Sequence, residues 1–307
     1  PGRSILPVEV ALMAAAILAL VVRHPAASAG AALAVAGMMG VAWGQLGLTK
    51  PVEVVALGVI GSILFLATRW IFDDKRQAHA FSFSAVGVLS VGTAVTLSLM
   101  QQEWVWLAWV LLASGASCLI LTAWTQRPAF AYAGFTLAGL AAASWMVESS
   151  MPWFQKPVVF AIYGAILAIA SRRHFREAGL TIGTLAAGVA MFLLALAAKE
   201  YYADPLLVWG AAISATCALA FGFAAGRLQN RLIADLAYGS FGFSYVYCLR
   251  LIGMPKEWLG VAGATLPCFF FLLEGRLKLL RPTLFTGTLT AVGCSALALA
   301  QWYGGII

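Results

Sequence analysis

The chain has 307 residues, 62% of them hydrophobic and 10% charged, with a mean hydropathy of +0.92 and a formal net charge of +7. Soluble domains are about 45–50% apolar and about 25% charged, and a chain this apolar cannot cover its surface with polar groups. The bilayer must act as solvent, and the basic residues, which lie between apolar runs rather than interleaved with aromatics on one face, do not form a nucleic-acid footprint.

A helix needs about 20 apolar residues to cross a bilayer. In chain order, apolar runs near 5–22, 27–48, 52–72, 79–100, 104–125, 128–147, 156–171, 178–198, 206–226, 232–252, 257–275 and 283–303 predict about twelve transmembrane helices. The first run is followed by Arg23-His24-Pro25 rather than a small-residue cleavage site, so it reads as a retained helix and not a signal peptide. Short punctuating segments such as Thr49-Lys50-Pro51, Gln126-Arg127-Pro128 and Ala203-Asp204-Pro205 separate the spans. Proline there suits a first helical turn, where its missing N–H costs nothing. No loop is long enough to hold a soluble domain.

Charge alternates with this count. Loops after odd-numbered spans carry Arg23, Arg69, Lys75, Arg76, Arg127, Arg172, Arg173, Arg176, Arg227, Arg231, Arg276, Lys278 and Arg281, against Arg3, Lys50, Lys156, Lys199, Arg250 and Lys256 on the other side. A missed span would invert every later loop. The positive-inside rule then places both termini on the non-cytoplasmic side of a bacterial-type inner (plasma) membrane. Trp104, Trp106, Trp153, Trp258 and Trp302 fall near the outer interface, where indoles anchor.

The chain also carries a duplication. Pro7-Val8, Ala11, Ala15 and Arg23-His24 are matched 150 positions on by Pro157-Val158, Ala161, Ala165 and Arg173-His174. Pro51, Glu103-Trp104 and Arg127-Pro128 are matched 154 positions on by Pro205, Glu257-Trp258 and Arg281-Pro282. The fold expected is therefore an all-α integral membrane protein of two tandem, parallel six-helix repeats, residues 1–153 and 154–307. Their pseudo-two-fold axis would run along the membrane normal.

Candidate chemistry is sparse. Asp235 is the deepest ionisable group, about one turn into the tenth span, with Arg231 four residues earlier as a potential partner across that turn. The same span carries Tyr238, Ser240, Ser244, Tyr245 and Tyr247, and its repeat counterpart carries Ser82, Ser84, Ser90, Thr93 and Thr96. Polar groups facing hydrocarbon lack partners, so both spans are expected to face protein or a hydrated cavity. Asp235, Tyr238, Ser244, Tyr245, Ser90 and Thr93 are the substrate-path candidates; small-residue helix packing is the plainer account of their serines and threonines. His24 and His174 form a cytoplasmic pair that could sense pH, or simply complement helix C-termini and lipid headgroups. Gly40/Gly44, Gly179/Gly183 and Gly222/Gly226 are GxxxG pairs suited to close helix packing.

Cys118, Cys217, Cys248, Cys268 and Cys294 are scattered through apolar runs without a CxxC pair, the pattern of buried hydrophobes rather than of metal or redox centres. No phosphate loop, HExxH or GxSxG motif occurs, and carboxylates are too few for an acid–base pair. An enzyme is not expected, nor a cofactor or a metal.

In size and short loops the chain resembles the drug/metabolite permeases, which have ten helices in inverted halves with cytoplasmic termini. In its six-plus-six parallel halves it resembles the major facilitator class, whose loop motif after the second helix it lacks. Neither resemblance carries site residues. The expected function is transport of a small molecule or lipid-like substrate through a path between the two halves. The alternative is a non-catalytic subunit that scaffolds a larger complex with other membrane subunits.

Overall fold

The computed structural model describes residues 50–71, 77–200 and 204–255, together with Gly30, Trp258, Leu259, Ala262, Thr265 and Leu266. Among them the regular structure is helical, with no strand. The helices are α1 (Lys50–Ile71), α2 (Gln77–Met100), α3 (Trp104–Thr125), α4 (Pro128–Glu148), α5 (Pro157–Ala170), a 3₁₀ turn at Arg173–Phe175, α6 (Arg176–Glu200), α7 (Asp204–Leu228) and α8 (Arg231–Leu251). These match the third to tenth predicted spans to within a few residues. The spans 5–22, 27–48, 283–303 and most of 257–275 lie outside the described residues, so the count of twelve and the full tandem repeat reach beyond them.

Six described helices (α2, α3, α4, α6, α7 and α8) are long and apolar enough to cross a membrane, while Pro51–Leu66 and Pro157–Ala170 are shorter apolar segments. The chain is a polytopic membrane protein, all-α among the described residues. Helix boundaries follow local chemistry. Pro128 and Pro157 sit in first turns, where no N–H is needed. The α3 end closes on Gln126 in the left-handed region (φ 56°), its N–H donating to Thr122 O. Asn230 caps α8, its side chain accepting from the Leu232 N–H.

The chain divides into two compact units, Pro1–Ser149 and Ser150–Ile307. In the first, the hairpins α1/α2 and α3/α4 are joined chiefly through α1 and α3. Its core includes Val54, Ala94, Val110, Leu107, Leu111 and Ala141. Phe65 and Phe130 meet edge-on with ring centroids 6.0 Å apart, and Ser62 and Ser114 share a buried hydrogen bond of 3.0 Å. In the second unit, the hairpins α5/α6 and α7/α8 are joined by α7 packing on both α5 and α6. Ala161, Leu180, Leu194, Ile213, Cys217 and Phe221 lie in its core.

Small residues set the helix spacing. Three hairpins cross at facing glycines: Gly61 with Gly87, Gly115 with Gly134, and Gly164 with Gly183. A Cβ on Gly61 or Gly164 would stand 2.6 Å from the opposite glycine's carbonyl oxygen, and one on Gly115 2.9 Å. Without a hydrophobic force between helices in lipid, such backbone approach is what lets dispersion hold them together. Of the GxxxG pairs read from sequence, Gly179 and Gly183 both press on α5, through Ser171 and Gly164 respectively. Gly222 has open space where a Cβ would be, so Gly222 itself marks no close crossing.

Candidate functional site

The polar residues of α2 and α8 have unequal roles. Ser90 is buried, whereas Thr93 and Thr96 are exposed on α2 and donate to Leu89 O and Gly92 O of their own helix, each at 2.9 Å. A hydroxyl that bonds one turn back needs no protein or water partner. The hydroxyls of Thr93 and Thr96 are thus satisfied within α2 itself. Ser244 of α8 is buried and donates to Ala211 O of α7 at 3.1 Å, a packing bond between the two helices. Tyr247 lies against Gly210, where a Cβ would come within 2.8 Å of its ring. Tyr245 is half-buried, its hydroxyl 3.3 Å from Thr265 Oγ1. Tyr238 and Asp235 are half-buried, and His174 is exposed on the 3₁₀ turn. His24 lies outside the described residues. Ser90 and Thr93 belong to the first unit, the remaining described candidates to the second.

Around Asp235 the second unit forms a groove of about 650 Å³. Helices α6 and α8 both pack on α7 but not extensively on each other, which opens a cleft between them. Thr184, Gly188 and Phe192 belong to the α6 wall, Asp235, Gly239, Ser240 and Phe243 to the α8 wall, and Phe221 of α7 is the buried floor. Gly188 and Gly239 have nothing within 4 Å of a Cβ position, so two missing side chains help to keep the cleft open. Its rim is apolar and accessible: Leu185, Phe192 and Phe243 are each more than half exposed. Polar character enters at Asp235, Ser240 and Thr184, the last already bonded to Thr181 O at 2.8 Å. Asp235 is the ionisable residue of the lining.

One end of this unit is strongly basic. Where α5 stops, α6 starts and α7 turns into α8, the chain places Arg172, Arg173, His174, Arg176, Arg227 and Arg231, with Glu177 and Asp235 as the nearby acids in sequence. Arg227 is half-buried and donates to Ala168 O (3.0 Å), Ser171 O (2.9 Å) and Ile169 O (3.1 Å), closing the carboxyl end of α5. A cation there complements both the unsatisfied carbonyls and the helix dipole. Arg176 Nη2 in turn donates to Arg227 O at 2.9 Å, so the two helical connections are tied together. Both connections turn through left-handed residues, Arg173 (φ 50°) and Gln229 (φ 54°).

Sequence reasoning located Asp235 and Ser240 but missed the α6 wall and the floor. The glycines Gly188 and Gly239 were the available signal, yet glycine in a membrane helix marks a close crossing as often as a gap. The described residues hold no group of three or more His, Cys, Asp or Glu able to bind a metal ion. Comparison with family models, characterised proteins and solved structures finds no match for the chain.

Proposed function

We propose that this protein is a non-enzymatic membrane transporter of a lipid-like amphiphile, with the α6–α7–α8 groove as the substrate's access from the bilayer. The groove carries this reading: it is apolar, laterally accessible and has an ionisable group, Asp235, within its lining. Ionisable residues inside spans are costly and mark substrate paths. A substrate with a long apolar part and a small polar part matches that lining better than a fully polar solute does. The access so proposed lies within the second unit rather than along a path between the halves.

The tandem duplication belongs to the same reading. It is supported by helix starts: Lys50 of α1 and Asp204 of α7 stand 154 positions apart, as do Gln77 of α2 and Arg231 of α8. The arginine-rich end is proposed to face the cytoplasm of a bacterial-type inner membrane, following the positive-inside rule.

The test is transfer of a fluorescent single-chain amphiphile across proteoliposome membranes. Wild type is expected to accelerate transfer, and Asp235→Asn and Gly188→Phe to slow it at least tenfold. The competing reading, a scaffolding subunit, takes the same open groove as a seat for a partner's transmembrane helix, whose diameter with side chains is about 10–12 Å. It predicts no transfer by the pure protein and stoichiometric co-purification with another membrane protein that Gly188→Phe disrupts.

A further inference from the structure

We propose that the groove is selective for a phospholipid with an anionic headgroup, its phosphate held by Arg176 and Arg231 and an acyl chain laid between α6 and α8. The inference rests on the amphiphile reading above and adds the headgroup chemistry. Its basis is the continuity of two features that could have been far apart. On α8 the groove lining begins at Ile233, two residues from Arg231, and runs to Phe243. At 1.5 Å per residue that is about 15 Å of helix, half the thickness of a hydrocarbon core that measures about 30 Å. On α8 the lining therefore starts at the arginine-bearing end, while on α6 it runs from Thr184 to Phe192, beginning eight residues beyond Arg176. The two walls are staggered in depth, and an acyl chain would pass inward from the arginines along α8.

The cationic end is assembled, not merely rich in arginine. Arg176 reaches the carboxyl end of α7 by donating to Arg227 O, which brings its guanidinium to the turn that leads into Arg231. Arg227 spends three hydrogen bonds on carbonyl oxygens, acceptors without formal charge, so its positive charge is not neutralised by them. Arg172, Arg173, Arg176 and Arg231 are exposed, and the exposed His174 adds to the same face. Glu177, exposed, and Asp235, half-buried one turn from Arg231, are the carboxylates near these arginines in sequence, whereas Glu200 and Asp204 stand at the other ends of α6 and α7. The balance favours an anion, and the planar guanidinium suits phosphate oxygens. Basic pockets between membrane helices hold lipid headgroups by the same chemistry.

The experiment uses the purified full chain, stripped of lipid in detergent and titrated with phosphatidylglycerol or phosphatidylcholine of equal chain length. Bound lipid is counted by native mass spectrometry. Wild type is expected to hold phosphatidylglycerol at least tenfold more tightly, and the double variant Arg176→Gln/Arg231→Gln to lose that preference while staying folded, with a small drop in melting temperature from the lost Arg176–Arg227 O bond. Gly188→Phe, which fills the trough where a side chain meets nothing, is expected to weaken both lipids. Equal retention of the two lipids by wild type, or a preference that survives the double variant, overturns the proposal. So does displacement of phosphatidylglycerol by millimolar inorganic phosphate, which would make the site one for free anions. If the preference holds but the protein transfers no amphiphile, the transport reading fails and the lipid site stands. If transfer is fast and no preference exists, the reverse is true.

Discussion

Gly164→Ala probes the rule that sets helix spacing. The added methyl would stand 2.6 Å from Gly183 O and 3.1 Å from Ala187 N, both backbone atoms of α6 that no rotamer change can move. Ordinary contact begins near 3.4 Å, so α5 and α6 must separate by most of an ångström. Overpacking of this kind costs about 1–3 kcal/mol. Glycine-to-alanine exchange in a helix also contributes up to about 1 kcal/mol in the opposite sense, and Gly222→Ala is the matched control because open space surrounds that position. The difference between the two variants isolates the clash. At about 2–4 °C per kcal/mol for chains of this order, a midpoint of 2 kcal/mol separates their melting temperatures by about 4–8 °C. The local reporter is Cys217, fully buried with its thiol 3.5 Å from Ala187 O. Maleimide labelling of the Cys217 peptide in detergent, read by mass spectrometry, should rise in Gly164→Ala and not in Gly222→Ala. Equal melting temperatures and equal labelling would show that the Gly164–Gly183 crossing does not set the spacing of α5 and α6.

Arg227→Met removes three charge-assisted bonds from the end of α5; discounted for partial exposure, the loss is about 2 kcal/mol. Faster amide exchange at Ser171, the residue that ends α5, is the check, and Arg227→Lys should recover part of it. Ser62→Ala breaks the bond to Ser114, yet Ser114 keeps its own bond to Val110 O at 2.8 Å, so the cost should stay near 0.6 kcal/mol in a detergent unfolding titration. Thr93→Val should change stability by less than about 0.5 kcal/mol, because the hydroxyl serves its own helix. A larger loss there would mean that Thr93 has a partner beyond Leu89 O.

Spans third to tenth were legible because hydropathy and helix length are set by the same bilayer thickness, and proline and charge mark the ends. The hairpin crossings were less so. Gly61, Gly87, Gly115 and Gly134 do not form GxxxG pairs, and what unites them is equal height on neighbouring helices, a tertiary property. Gly222, which does sit in such a motif, meets open space for the same reason. Asp235 was legible as a rare intramembrane charge. The groove around it was not, since its walls come from α6 and α8 and its floor from Phe221, and no local pattern records that two helices share a third neighbour without touching closely. The back-bonds of Thr93 and Thr96 were not legible either, because sequence does not tell a threonine bonded to its own helix from one that awaits a ligand.

An amphiphile is proposed to move through the α6–α8 groove. Dithionite quenching of a headgroup-labelled phospholipid in liposomes tests it most directly, with Gly188→Phe filling the groove and Gly222→Phe as the control outside its lining. Rapid quenching of the inner leaflet is expected with wild type and Gly222→Phe, and a rate near that of protein-free liposomes with Gly188→Phe. Equal rates for Gly188→Phe and wild type, or no acceleration by wild type at all, would contradict it.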